Sequence, residues 1–211
     1  MNSATARNTV LVAVIAAAGV ILAGGVFFGA WAIDNVFSRA FGFEAGYVPP
    51  DWPQVAATSQ TAQFFSTIVI ESHDPLVAPR VLTAIAMAIP YLTVIVGAGG
   101  TIALARRLMT SRPFAGAARI LLFALAVCCA AQAIAVPWLR TIAAATAIRD
   151  LGMPTDGTQV PSPDADPWVT SPAFDIQDVD WPFLVIAAAL VLVGILWRHA
   201  AILQRDTEGL V

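Results

Sequence analysis

Side chains that could do chemistry are few in this chain, and their spacing argues against a catalytic set. His73 and His199 fall on opposite sides of the membrane arrangement developed below, so they cannot share a metal. Cys128 and Cys129 are adjacent inside an apolar run, where sequence neighbours cannot form an unstrained bridge, and they read as small core residues. The acids Asp164 and Asp166, or Asp175, Asp178 and Asp180, offer oxygen ligands to calcium. They lack the spacing and central glycine of an EF-hand, and a solvated acidic loop is the plainer reading. No Ser/His/Asp set, glycine-rich phosphate loop or CxxC is present. Neither enzyme activity nor a cofactor or metal site is therefore expected.

Two polar side chains close to apolar runs stand out. Gln132 is expected near mid-membrane, hydrogen-bonded to another helix or to a backbone carbonyl. Arg140 is expected to pair with an external carboxylate. The densest charge is Arg106 to Arg119, which holds four arginines (Arg106, Arg107, Arg112 and Arg119) and no acid. Together with Arg205, Asp206 and Glu208 near the C-terminus, these are candidate contacts for anionic lipid or a cytoplasmic protein partner.

The elements that position these residues follow from the composition. Of 211 residues, 58% are hydrophobic and 12% charged, with a mean hydropathy of +0.77, which indicates an integral membrane protein. Four charge-free runs supply spans at about 9–33, 81–105, 120–139 and 181–197. The first follows Arg7 and is too long for the apolar core of a secretory signal, so it is expected to remain as a span despite Ala30-Trp31-Ala32. Its pairs Gly19/Ala23 and Gly25/Gly29 form a stripe where another helix, or a second copy, can approach closely. Pro90 and Pro137 predict kinks, and Gly97, Gly99 and Gly100 predict tight packing. Pro113 suits the first position of the third helix, which is expected to run to a left-handed stop at Gly152 and to exceed the bilayer in length. Asp180 is expected to cap the fourth helix, with Pro182 in its first turn and helix continuing to about Asp206.

The connections divide by character. In the external segment 34–80, Ile33, Val36, Phe37, Ala40 and Phe41 predict a helical extension as far as Gly42, after which Pro49, Pro50 and Pro53 forbid regular structure. Phe64 to Glu71 reads as a strand, and Phe174 to Gln177, at the end of the external segment 140–180, as its partner. With 106–119 as a cytoplasmic turn and 198–211 as a cytoplasmic tail, seven arginines and two acids lie inside, and four arginines and twelve acids outside. Arginine bias thus places both termini in the cytoplasm.

At RRLMTSRPF, VPWLRTIAAATAI and ILQRDTEGLV the chain resembles a family of uncharacterised bacterial four-span membrane proteins, described only as a domain of unknown function. Its members carry a basic turn ending in a G-x-P-F-like motif and a tail close to L-x-x-D-x-E-G-L-V. Here Ser111 replaces the glycine, whereas Leu203, Asp206, Glu208, Gly209, Leu210 and Val211 fit the tail. The likeness covers about Val81 to the C-terminus. It implies a bacterial plasma membrane location and no established activity. Family members are often encoded beside small helix-turn-helix regulators, which implies a regulatory role. The expected fold is an all-α membrane protein of four transmembrane helices, with a small extracytoplasmic cap containing a two-stranded β element. The expected function is non-enzymatic, regulatory, sensory or partner-binding, with a small transporter or permease component as the alternative. The bilayer, a cytoplasmic regulator and a second copy are the partners considered, and direct nucleic-acid binding is not expected.

Overall fold

The computed structural model describes residues 3–48, 66–110, 115–153 and 168–208, with side chains described over 8–46, 67–110, 116–153 and 169–197. Elements follow in the order α1 (Ser3–Ser38), β1 (Phe41–Val48), β2 (Ser66–Ser72), α2 (Val77–Met109), α3 (Ala115–Asp150), β3 (Trp168–Thr170), a 3-10 turn (Ile176–Asp178) and α4 (Trp181–Glu208). Three helices are long and apolar enough to cross a membrane: Asn8–Ser38, Val77–Met109 and Gly116–Asp150. The apolar part of α4, Trp181–Trp197, is shorter.

Each helix packs against its sequence neighbours, α1 on α2, α2 on α3 and α3 on α4, in an open row. The neighbours are antiparallel: Gly25 of α1 meets Val94 and Gly29 meets Tyr91, while Gly97 of α2 faces Leu125 of α3 and Gly100 faces Leu121. Small residues make these approaches possible. A Cβ on Gly25 or Gly29 would lie 3.1 Å from its α2 neighbour, so this half of the predicted stripe is occupied within the chain. Gly19 faces open space.

The row has two different ends. Where α1 and α3 finish and α2 and α4 begin, the strands form one antiparallel sheet in the order β2-β1-β3. At the other end lie the end of α2, the start of α3 and the outer ends of α1 and α4. Phe41, Phe43 and Ala45 of β1 alternate onto one sheet face and are buried with Leu76, Val169 and the last turns of α3, Ala144, Ala147 and Ile148. The end of α3 that overshoots a bilayer is therefore the platform on which the cap is built. Its 36 residues rise about 54 Å.

The stop at Gly152 is as expected. Its φ is +62°, its N–H donates to Arg149 O at 3.1 Å, and Met153 N–H donates to Ile148 O at 3.1 Å. This pair of bonds with a left-handed glycine is a Schellman closure, completed by Met153 packing on the core that holds Ile148.

Three expectations are corrected. The β element has three strands, because Phe41–Val48, read as helix and irregular chain, is the central strand, and α1 ends at Ser38 instead of Gly42. Residues 66–72 do form a strand, but their partner is β1, running from Phe41 opposite Ser72 to Tyr47 opposite Ser66. Phe174 to Gln177 forms no strand. Asp175 opens the 3-10 turn, its carboxylate accepting Ile176 N–H at 2.5 Å while Asp178 accepts Asp175 N–H at 2.8 Å. These two acids of the calcium hypothesis thus cap their own turn. The Pro113 start and Asp164 and Asp166 lie outside the described residues.

Candidate binding site between the cap and the helices

Arg80 fixes the cap to the row. It lies in the first turn of α2 and is buried at 7% exposure. Helix α1 ends at Ser38 and leaves carbonyls that no helical N–H can reach. The guanidinium serves them: Nη1 donates to Val36 O and, at 2.8 Å, to Arg39 O, while Nη2 reaches Asp74 O at 3.5 Å. The ring of Phe41 lies beneath it, 5.7 Å from centroid to guanidinium carbon. A positive charge at the negative end of a helix dipole and over an aromatic face is favourably placed without a carboxylate. Nε alone has no partner among the described residues. One side chain thus joins the end of α1, the start of α2, β1 and the β2–α2 turn. Sequence reasoning counted Arg80 only as an external arginine, since nothing in residue spacing reveals contacts to backbone carbonyls.

Beside this clamp lies a cavity of about 340 Å³. The first half of β1, Phe41 to Glu44, lines one side. Thr83 and Met87 of α2 line a second, and Arg140, Thr141, Ala143 and Ala144 of α3 a third. Pro172, just beyond β3, completes it. The walls are largely apolar, with Arg140 and Glu44 as the charged residues.

Arg140 reaches this place because α3 continues through Pro137. Proline has no N–H for the carbonyl four residues back, and that carbonyl, Ala133 O, accepts Asp180 N–H at 3.0 Å instead. The freed acceptor thereby fixes the entry of α4 against α3. Thr141, whose hydroxyl donates to Pro137 O at 3.0 Å, covers the turn above the proline. Arg140 is exposed and makes no ion pair among the described residues, so the expected pairing with a carboxylate is not met there.

Gln132, half-buried, does not show the hydrogen bond expected of it among the described residues. Its neighbour Ala133, near the middle of α3, is level with Asp180, where α4 begins. Exposed Trp31, Trp138 and Trp181 lie toward this same end of their helices.

The basic residues collect at the far end. Arg106 and Arg107 are exposed in the last turn of α2, and Arg119 is exposed near the start of α3. Arg112 lies outside the described residues. Arg205, Asp206 and Glu208 fall in the last turns of α4, where the backbone alone is described. The structure thus gathers the two arms of the basic turn and separates them, by the length of the row, from Arg140 and the cavity. Among the described residues no group of three or more His, Cys, Asp or Glu is placed to hold a metal ion.

No family model, curated protein or solved structure matches the chain.

Proposed function

We propose that this is a non-enzymatic four-span protein of a bacterial plasma membrane, with both termini cytoplasmic, whose cap contacts an external partner or signal. Its basic turn and tail meet a cytoplasmic protein partner, in keeping with the resemblance to the four-span family of unknown function. The observation that carries this reading is the opposition of the two ends. A sheet-built cap with a lined cavity stands at one, the exposed arginines of α2 and α3 at the other, and charge-free helix lies between. Arginine bias assigns the basic end to the cytoplasm, and α4 then completes an even number of crossings. The seventeen-residue apolar part of α4 rises about 26 Å, short of a hydrocarbon core of roughly 30 Å, and its flanking Trp181 and Trp197 anchor it at the two surfaces.

Crosslinking in intact cells tests the cytoplasmic half. The full chain is expected to capture a protein that a variant lacking Leu203 to Val211 does not, and identical capture by both contradicts the reading. A small transporter component is the alternative, favoured by Gln132, a half-buried amide with no protein hydrogen bond among the described residues. It requires Gln132→Ala to change the flux of some solute, and unchanged flux counts against it.

A further inference from the structure

The open edge of β1 suggests what the cavity takes. β2 pairs with β1 from Phe41 to Tyr47, whereas β3 covers the opposite edge only from Gly46 to Val48. A strand directs its N–H and C=O groups alternately to its two edges. On the β3 side, no strand residue is paired with Phe41 to Ala45. The uncovered stretch lies against the helices, with Phe41, Phe43 and Ala45 buried and Gly42 and Glu44 exposed, and it leaves an edge to which a further strand can add.

Pro172 accounts for the gap. Continued past Thr170, the β1–β3 register would bring Pro172 opposite Glu44, and proline has no N–H to give to a ladder. The chain leaves the sheet there, and the cavity of about 340 Å³ remains between the uncovered edge and the helices.

We propose that this slot binds a short extended peptide ending in a carboxylate. The peptide main chain adds to the Phe41–Ala45 edge as β3 would have done, and one apolar side chain rests against Met87 and Ala143. Its terminal carboxylate meets Arg140, whose planar fork suits two oxygens and which has no ion pair among the described residues. Glu44, also lining the slot, disfavours a second acid. A phospholipid headgroup could satisfy Arg140 but would leave the strand edge unpaired, which favours the peptide. The proposal rests on the reading of the cap as a contact surface and names the chemistry of what it contacts.

The test uses the full chain in phosphatidylcholine nanodiscs. The probe is a fluorescein-labelled pool of tetrapeptides with valine fixed at alternate positions, prepared with free or amidated C-termini. The free-acid pool is expected to bind at least about tenfold more tightly than the amide. Arg140→Gln, at an exposed position, should erase that difference, and Ala143→Leu, which narrows the slot, should weaken both pools. Equal binding of the two pools, insensitivity to both variants, or no binding overturns the proposal. So does Arg140-dependent retention of phosphatidylglycerol, read by native mass spectrometry, without peptide binding, since the slot would then be a lipid site. Tail-dependent crosslinking is scored separately, so that the peptide site can fail while the wider reading stands.

Discussion

The cap and the helical row bury different kinds of residue. In the cap the buried set is led by large residues, Phe41, Phe43, Leu76, Ile148 and Val169, beside Ala45, Ala144 and Ala147. Along the row it is nearly all alanine, at Ala18, Ala84, Ala86, Ala98, Ala105, Ala118, Ala126, Ala133 and Ala187, while Val20, Phe27, Val127 and Val185 are exposed. On the membrane reading proposed above, the cap stands in water, where removing large apolar surface from solvent drives association. On the same reading the row stands in lipid, which is as apolar as leucine, so its large side chains face outward and its contacts depend on backbones approaching closely over small ones. One chain thus uses two packing rules, and α3 passes from one to the other near Pro137.

Substitutions that treat the two regions differently test this contrast. The largest effect is expected at the clamp. Arg80→Met keeps the apolar stem but strands the carbonyls of Val36 and Arg39 and removes the charge over Phe41. A loss of about 3 kcal/mol is expected, read as a lowered midpoint of thermal unfolding in detergent and faster proteolysis near Ser38. Next, Ile148→Ala in the cap, where Ile148 is 1% exposed, should cost about 2–4 kcal/mol, whereas Val127→Ala, 68% exposed on the same helix, should cost far less. Equal losses at the two sites would mean that the row packs as the cap does.

Within the row the comparison turns to neighbours. A Cβ on Gly100 would stand 2.1 Å from a terminal methyl of Leu121, whereas one on Gly99 meets nothing within 4 Å. Gly100→Ala should destabilise by about 1–3 kcal/mol as α2 and α3 are pushed apart. Gly99→Ala should be neutral, or stabilising by up to about 1 kcal/mol through helix propensity, in the same thermal unfolding experiment.

Much of the row was legible in the sequence because length and hydropathy suffice to mark an apolar helix. The stop at Gly152 was legible too, as was the strand after Phe64, where β-branched residues cluster. Strand β1 was hidden by two causes. Gly42 and Gly46 interrupt its alternation of Phe41, Phe43, Ala45 and Tyr47, and Val36, Phe37, Ala40 and Phe41 also fit a helical period. The alternation was the available signal, outweighed by the continuing helix pattern. The expected pairing of Phe174 to Gln177 with the strand after Phe64 failed because that strand pairs with β1, while Asp175 and Asp178 cap a 3-10 turn over Ile176–Asp178. The binding site was less legible. Arg140 was singled out, but its cavity depends on α2, α3 and β1 meeting in space, and Arg80 acts through carbonyls that carry no residue-type signature.

The central claim is that the cap and the basic turn lie on opposite sides of the membrane, with the cap outside. Replacing Cys128 and Cys129 by alanine removes the native thiols. Ser171→Cys at the exposed edge of the cap and Thr110→Cys at the exposed end of α2 then report the two ends. In intact cells a membrane-impermeant maleimide is expected to label the cysteine at 171 and to reach the one at 110 only after lysis. Labelling at 110 with protection at 171, or equal labelling of both before lysis, would contradict the account.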